Sequence, residues 1–292
     1  MYPAIPGVEI AEKTVRTSDG YTLSVKCAGP DSGKPILFLH GFPEFWYGWR
    51  KQIPYFVAKG YRVIVPDQRG YNDSDKPERI SEYSIVQLAE DVAAIVRHLK
   101  LDETVLVGHD WGAAAAWQAA IRHPALFSRL VILNVPHPRT MVKTLLSNFN
   151  QLMKSWYMFF FQMPVIPGWL AALDGYERFA EAMRGTANEG SFTDEDLAAY
   201  RVAWQKPKAF DSMVNWYRAA FRHPDLSVQQ TVEVSTLILW GKGDRFLEAS
   251  MATESLQYCR SARVKYFERA THWLQHDEPD AVNAEIENFI KG

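Results

Sequence analysis

The chain has 292 residues, 47% of them hydrophobic and 23% charged, with a formal net charge of −2. That length suits one large domain, or a core carrying an insertion, and allows a substantial buried core. The near balance of charge, with no basic run, argues against nucleic acid or an anionic membrane surface as a main partner.

In chain order, residues 1–7 lack the charged and apolar regions of a signal peptide. The two cysteines, Cys27 and Cys259, are too few for a disulfide scaffold and predict reduced thiols in a cytoplasmic protein. Residues 14–17 and 21–27 predict a hairpin around Ser18-Asp19-Gly20, where the Asp-Gly pair is a turn signal. Continuous apolar strands are predicted at 36–39, 62–65, 104–107 and 130–133, with amphipathic helices near 46–59, 84–99 and 112–123 between them. Apolar strands alternating with helices mean a mostly parallel sheet covered on both faces.

From about 137 to 223 helical periodicity dominates, aromatic residues are dense and no strand is predicted. Strand patterns return at 236–240 and 264–267, with helices near 248–258 and 279–290. The expected organisation is an α/β core over residues 1–136 and 227–292, interrupted by an all-helical insertion over 137–226. The most apolar stretch, 156–173, is broken by Gln162, Pro164, Pro167 and Gly168, so it does not read as a membrane span. It predicts the wall of a hydrophobic cavity.

The predicted strand 104–107 ends in Gly108-His109-Asp110-Trp111-Gly112, followed by an alanine-rich helix. This is the pattern of a nucleophile elbow, in which a tight strand-to-helix turn lifts one side chain above the sheet. Serine is the usual occupant, and Asp110 takes its place. A carboxylate needs no base to deprotonate it and attacks sp3 carbon, giving an alkyl ester that water must then hydrolyse. The plainer reading is an incidental Asp at a helix N-terminus, where a carboxylate suits the dipole.

Other strand ends supply partners. His40-Gly41-Phe42-Pro43 follows the strand at 36–39, and a cis bond is expected before Pro43. In hydrolases built this way, backbone N–H groups of this loop and of the residue after the nucleophile form an oxyanion hole, here Phe42 and Trp111. His40 itself has a loop-supporting role as its plainer reading. His272 lies just past the strand at 264–267, where a general base belongs. Asp244, in Gly241-Lys242-Gly243-Asp244, would accept the imidazole N–H and fix its tautomer. Asn134, after the strand at 130–133, is the other position for such an acid, but it lacks the charge to stabilise an imidazolium. His98, His123 and His223 read as helix-face or capping residues, His137 as a hinge residue, and His276 as too far along the chain. Asp67 and Arg69 read as a structural loop pair.

These motifs, with Glu44 and Trp49-Arg50 after the His-Gly-Phe-Pro loop, resemble the α/β-hydrolase-fold epoxide hydrolases of the soluble type, over nearly the whole chain. The resemblance implies a mostly parallel eight-stranded sheet with helices on both faces and an inserted helical cap. It also implies two cap tyrosines that donate hydrogen bonds to the epoxide oxygen. Tyr157, five residues before Gln162, and Tyr217, in Asn215-Trp216-Tyr217-Arg218, fill those positions. A phenol, with a pKa of about 10, can donate or transfer a proton to the alkoxide that ring opening creates. His40, Pro43, Trp111 and Phe161 are the substrate-binding positions it implies.

The implied reaction takes a small apolar epoxide and water to a diol, with no metal or organic cofactor, in a monomer or homodimer. The elbow is shared with haloalkane dehalogenases, which commonly carry Asn where this chain has Phe42. Fluoroacetate dehalogenases have Arg after the nucleophile and a His-Trp pair in the cap, against Trp111 and Tyr157-Met158 here. A dehalogenase using the same ester, and a hydrolase-fold binding protein without turnover, are the alternatives.

Overall fold

The predicted apolar strands form the centre of one eight-stranded sheet in the computed structural model, which describes residues 2–225 and 231–292. The expected junction of insertion and core at 226 and 227 lies outside the described residues. The strands are β1 (Ile10–Arg16), β2 (Thr22–Ala28), β3 (Pro35–Leu39), β4 (Arg62–Pro66), β5 (Thr104–His109), β6 (Phe127–Leu133), β7 (Thr236–Gly241) and β8 (Ala262–Phe267). Their order is β1-β2-β4-β3-β5-β6-β7-β8. The β1–β2 hairpin and the β2–β4 pair are antiparallel, and every other pair is parallel.

The central strands are apolar throughout because helices cover both faces. Ile36 to Leu39, Val105 to Val107, Leu130 to Leu133 and Leu237 to Trp240 have no accessible surface. Helices Ile85–His98 and Trp111–Arg122 fall where their patterns predict. The helix expected over 46–59 is instead a 3₁₀ turn, Trp46–Trp49, and a separate helix, Ile53–Ala58. Pro54 explains the break, since it lacks an N–H and sits in the first turn of the second piece, the one place a helix tolerates it. The helix expected over 248–258 likewise shortens to Ser250–Ser255 with a 3₁₀ turn, Leu256–Tyr258.

Between β6 and β7 the chain leaves the sheet and, among the described residues, forms seven helices and no strand: Pro138–Ser147, Phe149–Lys154, Trp156–Phe160, Ile166–Ala172, Glu177–Arg184, Asp194–Trp204 and Ala209–Arg222. His137 caps the first of them, its ring accepting the Arg139 N–H at 3.2 Å. The cavity-wall expectation for 156–173 needs correction. Phe161 and Pro167 are buried, but Trp156, Trp169 and Leu173 are more than half exposed. Helices this short pack one face inward and leave the other outside. No helix among the described residues is long and apolar enough to cross a membrane.

The parallel strands bring their C-terminal ends to one edge of the sheet, where ligands bind in open α/β sheets. The residues leaving β3, β5, β6, β7 and β8 there lead to His40, Asp110, Asn134, Asp244 and His272.

Candidate active site

Asp110 stands between β5 and helix Trp111–Arg122 with φ 48° and ψ −125°, a conformation unfavourable for a residue with a Cβ. Close packing holds it there. A Cβ on Gly112 would lie 2.3 Å from the Leu39 carbonyl oxygen, and one on Gly108 would lie 2.5 Å from that of Gly112. Both glycines of the elbow are therefore required by contact, and the turn lifts the Asp110 carboxylate clear of the sheet.

That carboxylate has two neighbours. Its Oδ1 accepts the Phe42 N–H at 2.7 Å, and its Oδ2 lies 3.5 Å from His272 Nε2. His272 Nδ1–H donates to Asp244 Oδ2 at 2.8 Å. The other oxygen of Asp244 accepts the N–H groups of Phe246 and Leu247 at 2.8 and 3.0 Å. Asn134 donates to Asp244 Oδ2 at 2.6 Å while its own Oδ1 accepts the Gly241 N–H at 3.0 Å. Asn134 thus orients the acid rather than replacing it.

Burial opposes a charge on His272, but Asp244 and Asp110 on either side outweigh it and raise the imidazole to about 10. Burial alone would raise the Asp110 carboxyl; His272, with smaller contributions from His109 and the Phe42 N–H, holds it below its ordinary value. In the resting protein a carboxylate faces an imidazolium.

Two phenols from the helical insertion come together over this group. Tyr157, in Trp156–Phe160, and Tyr217, in Ala209–Arg222, have ring centroids 5.9 Å apart at 82°. Burial first, and then the negative charge of Asp110, push both phenols up, so that both keep their protons. Trp111 opens its helix, where the N–H has no partner within the helix, and its indole packs edge-on against Tyr217 at 4.9 Å.

A family model described as alpha/beta hydrolase fold matches residues 34–279. The chain is 40% identical over 276 residues to the AB hydrolase superfamily protein YfhM of Bacillus subtilis (strain 168), covering 94% of this chain and 96% of that protein. It is 40% identical over 268 residues to Epoxide hydrolase 2 of Caenorhabditis elegans, covering 90% of this chain and 75% of the relative. The crystal structure of a Bacillus megaterium epoxide hydrolase with an inhibitor superposes with a TM-score of 0.87 at 29% identity, covering 96% of this chain and all of that one. The chain belongs to the epoxide hydrolases of the α/β-hydrolase fold.

In this epoxide hydrolase the remaining implied positions divide. The Phe42–Pro43 bond is cis, and Phe42 packs against Phe161 and Tyr217 with ring centroids at 5.4 and 5.1 Å. Pro43 is buried, and its carbonyl accepts the Trp204 indole N–H at 2.6 Å, tying the loop to the insertion. His40 is a correction. Its Nδ1–H donates to the Gly41 carbonyl at 3.0 Å and its Nε2 accepts the Gln68 N–H at 3.1 Å, so neither nitrogen is left for a substrate. Burial lowers its pKa to about 4, and it serves the loop as a neutral brace. Asp67 and Arg69 are structural, but not as a pair. Arg69 binds Asp91 and Asp19, while Asp67 accepts the Trp46 N–H and the Asn72 amide.

Two features escape sequence reasoning. Phe246 lies edge-on to His272 at 5.2 Å and to Tyr157 at 5.7 Å, bridging base and phenol. Its place two residues after Asp244 is the only signal that pointed to it. The second is a buried cluster behind the site. His109 Nε2–H donates to the His272 carbonyl at 2.9 Å, and its Nδ1 lies 3.2 Å from Glu44. Glu44 also accepts from His276 at 2.7 Å and Tyr200 at 2.8 Å. Arg50 sits 3.2 Å from His276 Nδ1 and pairs with Asp196 through two contacts of 2.7 Å.

Proposed function

We propose that the protein converts an epoxide to a vicinal diol in two steps through an alkyl ester on Asp110. The observation that carries this reading is the meeting of two protonated phenols, Tyr157 and Tyr217, over a carboxylate backed by His272 and Asp244. The helical insertion, residues 137–226, serves as the cap that supplies the phenols.

In the first step Asp110 attacks a ring carbon from the side opposite the oxygen, and the C–O bond breaks. The developing alkoxide is held and protonated from the phenols. Esterification removes the Asp110 charge, one of the two that raise His272. The imidazole then gives up its extra proton, which restores the phenol left as a phenolate by ring opening, and becomes a base, still oriented by Asp244. In the second step His272 takes a proton from water as the hydroxide attacks the ester carbonyl. The tetrahedral oxyanion faces the N–H groups of Phe42 and Trp111. Collapse expels the alkoxide, which takes the proton from His272 and leaves as the diol. The proton of the added hydroxyl then passes to His272, regenerating the carboxylate and the imidazolium.

The same ester would serve a dehalogenase, but Phe42 offers no side-chain donor to a departing halide. A panel of aryl and alkyl epoxides, assayed for diol with halide release from haloalkanes measured in parallel, separates the two. Pre-steady-state ester formation in Tyr157→Phe, Tyr217→Phe and the double variant tests the phenols. Loss of one donor is expected to slow alkylation by up to ~10²–10³-fold, moderated by the survivor. The double variant falls much further. Wild-type alkylation by the double variant would make both tyrosines packing residues and remove the main support for an epoxide.

A further inference from the structure

Exposed apolar side chains on an ordinary protein surface are scattered singly. Here, of the fourteen large ones among the described residues, twelve lie between Val142 and Leu173. Nine of them fall on four successive short helices, Pro138–Ser147, Phe149–Lys154, Trp156–Phe160 and Ile166–Ala172, and Met163, Val165 and Leu173 lie directly beside the last two. Several stand four apart, on one helix face: Val142 with Leu146, Phe149 with Met153, Trp169 with Leu173. Phe159 rests against Phe221 at 5.5 Å, so the face continues onto Ala209–Arg222.

The charge of this face is as uneven as its polarity. Residues 111–173 contain no Asp or Glu, while the first two helices carry Arg139, Lys143 and Lys154. The acids that approach from neighbouring elements already face cations: Glu248 pairs with Lys154 at 2.9 Å, Glu254 lies 3.9 Å from Lys143, and Asp211 lies 4.0 Å from Arg218.

We propose that this face of the insertion docks on the surface of a phospholipid bilayer, its aromatic and aliphatic side chains entering the interface and its cations lying at the phosphates. Exposed tryptophan, long apolar side chains and lysines able to reach outward are the chemistry of interfacial helices. The charge of the whole chain argues against electrostatic capture by a membrane, and the drive here is apolar, with the cations only tuning it. A second copy of this chain fits less well. A two-fold pairing would lay the segment on itself with no acid of its own to pair across the seam, since Glu248 and Glu254 already face Lys154 and Lys143 within one copy.

The face is also the outside of the active-site wall. Trp156 and Phe159 are exposed on the same five-residue helix that carries Tyr157 to the site. Docking would set the site beside apolar epoxides dissolved in the lipid, a consequence that rests on the proposed function.

The test is flotation of the full chain with vesicles of phosphatidylcholine alone and of phosphatidylcholine with phosphatidylserine. Wild type is expected to float with both, more tightly with phosphatidylserine at low salt. Phe149→Ser/Val165→Ser/Trp169→Ser should lose binding about tenfold or more, with its circular dichroism and hydrolysis of dissolved epoxide unchanged. Failure of the wild type to float with either vesicle overturns the proposal. So does a concentration-dependent dimer in lipid-free sedimentation velocity that the triple variant abolishes, because the face would then belong to a second copy. Flotation without hydrolysis of any epoxide in the panel would sink the epoxide reading and leave the docking intact.

Discussion

Two buried polar clusters lie back to back, and each holds a histidine bonded to a carboxylate. His272 meets Asp244 at 2.8 Å, and His276, four residues later, meets Glu44 at 2.7 Å. Their protonation runs in opposite directions, up to about 10 for His272 and down to about 4 for His276. Burial disfavours the charge in both, so it does not decide. The second ring nitrogen does. His272 Nε2 faces another carboxylate, Asp110, whereas His276 Nδ1 faces the Arg50 guanidinium, which has only protons to offer. His276 must therefore be the neutral tautomer, accepting from Arg50 and donating to Glu44. One cluster stores a proton that the removal of a single charge would release. The other is already balanced, with a neutral His276 donating to the Glu44 carboxylate.

The largest expected effect comes from removing the charge that separates the two. Asp110→Asn should abolish turnover, on the order of 10⁴-fold or more. It should also bring His272 down from about 10 toward its ordinary value, read by NMR titration of the imidazole. An unmoved titration would mean that Asp244 alone sets the proton. His272→Gln should slow turnover on the order of 10²–10⁴-fold while leaving alkylation possible. Mass spectrometry should then find substrate bound to Asp110, and normal turnover would assign the base elsewhere.

Arg50→Met attacks the balanced cluster. It leaves the buried Asp196 carboxylate without its cation, at an expected cost of about 3–5 kcal/mol in urea denaturation, and should raise His276. A loss below 1 kcal/mol would mean that Tyr47 and the Thr193 N–H, which also donate to Asp196, suffice without the arginine. The smallest effect is a pH slope. Because His272 titrates at about 10 folded against 6.5 ordinarily, its contribution is complete below pH 6.5 and is lost as pH rises through 10. Wild type should lose more thermal stability over that interval than His272→Gln, and parallel melting curves would contradict the raised value.

The back-to-back arrangement also marks what can be read from a sequence. The elbow was legible because its residues are contiguous and two glycines bracket the nucleophile. His272 and Asp244 were legible because each closely follows a strand of clear period, and parallel strands end on one edge. The second cluster was not. Arg50 and Asp196 are 146 residues apart, and Glu44 and His276 are 232 apart, with no periodicity connecting them. His40 misled for a related reason, since its place at a strand end suggested the site while two backbone partners claim its ring. The apolar run at 156–173 was visible as hydrophobic, but composition does not say which side of a short helix faces out. Pro54 did carry its signal, a helix start inside an apparently continuous pattern.

The location of the two tyrosines has a consequence for how such an enzyme diversifies. Asp110, His272 and Asp244 are fixed by strand ends of the sheet, whereas Tyr157 and Tyr217 ride on helices spliced between β6 and β7. On the proposed reading, ester making and breaking belong to the two core segments that flank the insertion, and leaving-group handling belongs to the insertion itself. Exchanging the insertion between relatives that share the elbow should then carry the preference for epoxide or halide with it, leaving the hydrolytic half-reaction where it was. Reaction class in this architecture would be a transplantable trait.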